Sequence, residues 1–133
     1  MVTMYEPRTM QDPEPNPGDA PYFEAAAEGR LLIKRCSSCG QVHFYPRAVC
    51  PYCQSDDTEW VESTGRGEVY SFSITRRAGP IPYAIAFVTL DEGVTMMTNI
   101  ADCDLDAIHV GQRVRVVFKP TEGDYMMPCF APE

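Results

Sequence analysis

The stretch Cys36-Ser37-Ser38-Cys39-Gly40, followed by Cys50-Pro51-Tyr52-Cys53-Gln54, decides how the rest of the chain is read. Each Cys-x-x-Cys pair is short enough to wrap one metal ion, and ten residues separate the pairs. Four thiolates gathered this way suit the tetrahedral coordination of a structural zinc ion. A single pair arises by chance or in redox motifs; two pairs around a loop of this size point to metal. Cys36, Cys39, Cys50 and Cys53 are therefore the expected zinc ligands. Leu31-Leu32-Ile33 leads into the first pair as a short strand, and Gln41 to Arg47 reads as a return strand and turn. Knuckle, hairpin and second knuckle make a zinc ribbon of the rubredoxin-like kind. His43 lies between the pairs, but four thiols already fill a tetrahedral site, so it is assigned a packing or surface role.

Ahead of the ribbon, Asp19 is placed to cap a short helix with Pro21 in its first turn and Gly29 at its end. Tyr22 and Ala26, like Phe23 and Ala27, fall four apart and share a face. A helix this short does not hold alone. It must pack its aromatic face on the second domain or on another chain, which makes Tyr22 and Phe23 candidate partner contacts. Residues 1–18 carry Pro7, Pro13, Pro15 and Pro17, three methionines and almost no aliphatic residue. Such a segment buries too little to offset its ordering entropy and is read as a flexible arm. Its methionines are adaptable contact residues should a surface hold it.

From Trp60 onward the periodicity is that of strands. Tyr70, Phe72 and Ile74 alternate with Ser71, Ser73 and Thr75. Tyr83 to Leu90 and Thr95 to Ile100 flank the turn Asp91-Glu92-Gly93 and predict an antiparallel hairpin. Asp102 to Ile108 allows one helical turn. Val114, Val116 and Phe118 then alternate with Arg113, Arg115 and Lys119, and Met126 to Phe130 is a last strand. Five strands with a helical turn between the third and fourth are the element order of an OB-fold barrel, with a five-stranded sandwich as the competing geometry. The expected class is thus mainly β: an arm over 1–18, a helix and ribbon over 19–60, and an OB-fold domain over 61–133. The acidic segment Ser55 to Glu62 reads as the join.

The net charge of −8 argues against a nucleic-acid partner, because phosphate binding normally needs a basic surface. No apolar run approaches the length of a membrane helix. No secretory signal is apparent, and six cysteines without one read as ligands and reduced thiols, which favours a cytoplasmic location. Residues 29–55 are the basic exception, with Arg30, Lys34, Arg35 and Arg47 and no acid. These cations either neutralise the negative thiolate–metal centre or offer a docking surface for an anion.

No phosphate loop, nucleophile elbow or acid–base constellation is present in the sequence, so no catalytic residue is assigned. Asp102, Asp104 and Asp106 lack the glycine and distal glutamate of a calcium loop and are read as capping a turn. Cys103 and Cys129 are read as structural thiols. OB barrels commonly bind through the loop after their first strand, here Arg76-Arg77-Ala78-Gly79-Pro80-Ile81-Pro82. Arg76 and Arg77 could clamp a phosphate or carboxylate there, or simply solvate a hairpin end.

In combination these parts resemble a known family. The carrying residues are Pro21-Tyr22-Phe23-Glu24, Gly29-Arg30-Leu31-Leu32, Cys36-x-x-Cys39-Gly40, Tyr45-Pro46-Arg47, Cys50-Pro51-Tyr52-Cys53, Gly67-Glu68-Val69-Tyr70-Ser71-Phe72, Pro82-Tyr83-Ala84-Ile85-Ala86 and Val110-Gly111-Gln112-Arg113-Val114. The chain resembles the zinc-ribbon plus OB-fold accessory proteins of thiolase-like acyl-CoA enzymes over about residues 19–131. That resemblance implies a non-catalytic subunit within a hetero-oligomer. Its partner would be a thiolase, thiolase-like aldolase, acyltransferase or 3-hydroxy-3-methylglutaryl-CoA synthase, in some cases with a hydratase-like subunit, in lipid or steroid metabolism. It further implies zinc on the four ribbon cysteines and acyl-CoA as a ligand of the complex. Three other readings remain open on residues alone: a stand-alone acyl-CoA-binding module, an iron-containing electron carrier, and a single-strand nucleic-acid binder.

Overall fold

The structure is a computed structural model that describes residues 2–8, 10–77 and 79–133. Its first element is the helix α1 (Ala20–Ala27). The Asp19 carbonyl accepts from the Tyr22 and Phe23 amides at 3.0 and 3.4 Å. The expected side-chain cap is not made. The Asp19 carboxylate instead accepts from the Tyr45 hydroxyl at 2.7 Å and the Asn16 amide at 3.0 Å. A buried carboxylate, 4% exposed, is drawn to the strongest donors in reach.

The ribbon is a three-stranded antiparallel sheet of β1 (Leu32–Cys36), β2 (Val42–His43) and β3 (Thr58–Glu62), in the order β2-β1-β3. The segment read as an acidic join therefore supplies a strand. Its acids cost little because Glu59 and Glu62 are exposed, while Trp60 and Val61 are half-buried against the core.

Five strands close the barrel: β4 (Arg66–Thr75), β5 (Tyr83–Leu90), β6 (Thr95–Ile100), β7 (Arg113–Pro120) and β8 (Met126–Pro132), in the order β4-β5-β6-β8-β7. A 3-10 turn, Leu105–Ala107, sits between β6 and β7. This is the expected OB-fold topology rather than a sandwich. Val69, Val88, Ile100, Leu105, Val114 and Phe130 fill the interior. One continuous cluster runs from these residues to Tyr22, Leu31 and Ile33, so ribbon, helix and barrel share a core. No helix among the described residues is long and apolar enough to cross a membrane.

Two features of the barrel matter for the site. A bulge between Val69 and Ser71 inserts Tyr70 as an unpaired residue in β4. Val69 opposes Val88 and Phe72 opposes Ala86, while Tyr70 is left 69% exposed and Phe72 36%. The Tyr70-Phe72-Ile74 alternation is thus broken at its first member. The second feature is the join of β6 to β8, a single parallel register pair, Ile100↔Phe130. Pro128 has no N–H to give across this seam. Its carbonyl is satisfied by the Thr98 hydroxyl at 3.2 Å.

The surface under the arm is this chain's own barrel. Met4 bridges Asp104, the Tyr5 amide donates to the Cys103 carbonyl at 2.8 Å, and Leu105 donates to the Thr3 carbonyl at 2.7 Å. Further along, the Glu122 amide donates to the Met10 carbonyl and the Gly123 amide to the Asp12 carboxylate, both at 2.9 Å. Of the arm methionines, Met1 lies outside the described residues.

Candidate metal centre and an adjoining cleft

The two knuckles are built alike. Cys36 donates its amide to the Gln41 carbonyl at 2.9 Å and accepts from the Gly40 amide at 2.8 Å. Cys50 repeats the pattern with the Ser55 carbonyl at 2.8 Å and the Gln54 amide at 2.9 Å. Both turns end on a left-handed residue, Gly40 at φ +76° and Gln54 at φ +65°. Gly40 takes that conformation freely, whereas Gln54 has a Cβ to accommodate.

These turns aim four sulfurs at one point. The Cys36 and Cys53 Sγ atoms are 3.5 Å apart, those of Cys39 and Cys50 3.7 Å, and all four lie within 4.8 Å of one another. Zinc–sulfur bonds of about 2.3 Å set tetrahedral edges of roughly 3.8 Å, so the donor set suits zinc. Cys36 and Cys50 are buried, while Cys39 and Cys53 face solvent. The backbone N–H of Cys39, turned toward Cys36, is the main influence holding the Cys36 thiol down at about 7. That environment favours the thiolate at Cys36, whereas the Cys39 and Cys53 thiols are raised. The structure thus brings together the four cysteines singled out in the sequence.

Two of the four nearby cations, Arg30 and Lys34, are engaged elsewhere. Arg30 pairs with Glu28 and Glu62 at 2.8 and 3.1 Å. Lys34 donates to Thr58 at 3.2 Å and lies over the Trp60 ring at 4.3 Å. His43 is a packing residue, 2% exposed, whose Nε2 accepts from the Arg47 amide at 3.3 Å. Its Nδ1 has no hydrogen-bond partner among the described residues.

The other residues singled out in the sequence are dispersed. Arg76 is tied to Asp106 at 2.5 Å, whereas Arg77 is exposed. Asp104 caps the 3-10 turn through the Asp106 amide, and Asp102 holds Lys119 at 2.7 Å. The three aspartates are therefore spent on the turn and its neighbours. Tyr22 is 3% exposed, with its ring 5.1 Å from Phe23 and 5.9 Å from both Phe44 and Tyr45. Phe23 reaches Tyr125 of the β7–β8 turn at 5.2 Å.

Sequence reasoning missed a cleft of about 380 Å³ over the β6–β8 seam. Met10 and Pro13 of the arm and Phe23 of α1 bound it on one side. Ile85, Met97 and Met127 of the barrel bound it on the other. Six stretches of chain build it, so no local motif marks it. The one signal was the methionine content of the chain.

Residues 23–59 match the ChsH2 rubredoxin-like zinc ribbon domain, and residues 60–119 match the ChsH2 C-terminal OB-fold domain. The benzoylsuccinyl-CoA thiolase subunit BbsA of Thauera aromatica is 32% identical over 108 residues, covering 73% of this chain and 74% of that protein. This chain belongs to the ChsH2 (DUF35) family. A further relative, the "Probable enoyl-CoA hydratase alpha subunit" of Thermomonospora curvata, is 33% identical over 98% of this chain. Here the chain spans only 42% of the relative's length. Among solved structures, a chain described as an Ltp2-ChsH2(DUF35) aldolase superposes with a TM-score of 0.78 at 34% identity, covering 91% of this chain and 98% of that one. The ChsH2 family thus accounts for ribbon and barrel together.

Proposed function

We propose that this chain is a non-catalytic, zinc-stapled subunit that assembles with a thiolase-superfamily enzyme, a thiolase or thiolase-like aldolase, acting on acyl-CoA thioesters. The observation that supports this reading is the correspondence, over 91% of this chain, with a solved chain described as an Ltp2-ChsH2(DUF35) aldolase. In this reading the arm (1–18), the helix and ribbon (19–60) and the barrel (61–133) form a docking block. The block stabilises the catalytic partner and shapes or bridges its acyl-CoA entrance, with zinc holding the ribbon in shape. Surface chemistry supports it. On the outer barrel face Phe87 and Met97 are register partners, 45% and 64% exposed, and Tyr70 stands out at the bulge. Apolar side chains grouped on one exposed face offer a surface on which a partner can dock.

A native pull-down with mass identification of the bound chain tests the proposal. A thiolase-superfamily chain should co-purify, and Phe87→Glu should release it while zinc content stays unchanged. A lone monomer in native lysate would overturn it. Direct acyl-CoA binding by the isolated chain is the second reading. It rests on Arg77 more than on Arg76, which Asp106 already holds. Titration with acyl-CoA decides it, absence of heat at millimolar ligand ending that reading.

A further inference from the structure

The cleft over the β6–β8 seam is lined mostly by apolar side chains, and three of the polar groups among them are engaged within the chain. The Tyr45 hydroxyl donates to Asp19, the Thr98 hydroxyl to the Pro128 carbonyl, and the Asn99 side-chain amide to the Ala84 carbonyl at 3.1 Å. An apolar body entering the cleft leaves these bonds intact, whereas a polar body would gain few partners for the water it gave up. Met10, Met96, Met97 and Met127 contribute unbranched, polarisable side chains that adapt to an irregular shape. The volume lies within the range of small-molecule sites, roughly 300 to 1,000 Å³.

One lining residue differs from the rest. Arg8 is the only cation of the lining, with its guanidinium 3.9 Å from the centre of the Tyr83 ring. Among the described residues no carboxylate lies within ion-pair distance of it. Arg30, Arg66, Arg76, Arg113 and Lys119 each hold a carboxylate. What sets Arg8 apart is its place, stacked on an aromatic ring at the edge of an apolar cleft. Guanidinium geometry favours a planar two-oxygen acceptor.

We propose that this cleft binds a small amphipathic monocarboxylate, its apolar body against the methionines of the β6–β8 seam and its carboxylate on Arg8. The inference does not rest on the partner reading, because every group it uses belongs to this chain.

The test uses the zinc-loaded full chain carrying carbon-13 methionine methyl groups, titrated separately with decanoate, decan-1-ol, acetate and decanoyl-CoA. Decanoate should shift the methyl signals of Met10, Met96, Met97 and Met127 saturably and leave that of Met4 in place. Arg8→Gln should weaken decanoate about tenfold, the loss of a charge-assisted contact, and leave decan-1-ol unaffected. Acetate should bind far more weakly than decanoate, since it lacks the body. If millimolar decanoate moves none of the four methyl signals, the site is wrong. If decan-1-ol or decanoyl-CoA binds as tightly as decanoate, or Arg8→Gln changes nothing, the carboxylate assignment is wrong.

Discussion

The Tyr45 hydroxyl sits 2.7 Å from the Asp19 carboxylate and so ties the loop of the ribbon to the start of α1. Asp19 is 4% exposed, and its other donor is the Asn16 amide. Tyr45→Phe keeps the ring packing on Tyr22 but strands part of a buried carboxylate. It should cost about 2 kcal/mol of stability, within the range for hydrogen bonds to charged groups. Urea unfolding of the two proteins measures the difference. A loss below a few tenths of a kcal/mol would mean that water replaces the hydroxyl.

Removing the metal should act on one sheet first. Serine in place of Cys36, Cys39, Cys50 or Cys53, or treatment with a strong chelator, should release bound zinc. Amide protection should then fall across β1, β2 and β3 while Val88 and Val114 of the barrel stay protected, as hydrogen exchange would read. Cys103 and Cys129 serve as internal controls. Burial, the largest influence on both, pushes the Cys129 thiol up to about 11 and raises Cys103 as well. Iodoacetamide at pH 8 should therefore label the zinc-loaded protein slowly, then label the ribbon cysteines once zinc is removed. Cys129 should be the last thiol modified.

His43 gives the ribbon a pH dependence whose sign is fixed by its burial. Desolvation, the largest cause, lowers its pKa below the ordinary 6.5, and the charges of Lys34 and Arg47 lower it further. The folded state then binds fewer protons than the unfolded chain once pH drops below 6.5. Stability is fully present above that value and declines as pH falls from 6.5 toward the folded pKa. His43→Gln retains an acceptor for the Arg47 amide and removes the titration. Unfolding with zinc in excess, compared between pH 7.5 and 5.5, should show a shallower decline in the variant. Parallel declines would assign the pH dependence elsewhere.

Gly67 marks a close approach of two strands. A Cβ there would sit 2.4 Å from the Thr89 carbonyl oxygen, and backbone does not yield as a flexible side chain does. Gly67→Ala should cost about 1–3 kcal/mol, the range for overpacking. A thermal melt checks it, and an unchanged midpoint would show that β4 and β5 can slide apart.

The ribbon was legible because metal chemistry is written locally: four cysteines at fixed spacing need no knowledge of the rest of the fold. The barrel strands were legible from period-two patterning, most plainly around Val114, which is fully buried between exposed Arg113 and Arg115. Patterning failed at Tyr70 because one inserted residue shifts every later side chain by a face, and alternation cannot register an insertion it has no partner strand to count against. It failed at Thr58 to Glu62 because a short strand paired on one side tolerates acids, which read as a linker. Asp19 was placed correctly at the helix start, yet its side chain answers to Tyr45, twenty-six residues away. The cleft was invisible for the same reason: arm, helix, ribbon loop and seam meet only in space.

The weak join between β6 and β8 gives the arm a mechanical role. Thr3, Met4 and Tyr5 hold the segment that follows β6, while Met10 and Asp12 hold the turn that precedes β8. The two banks of the seam are thereby clasped by a third stretch of chain, across a gap where strand pairing is nearly absent. A barrel closed this way has its shortest run of paired residues along one line. Whatever lifts the arm, whether a ligand or a docking surface, would act on a hinge already cut into the wall.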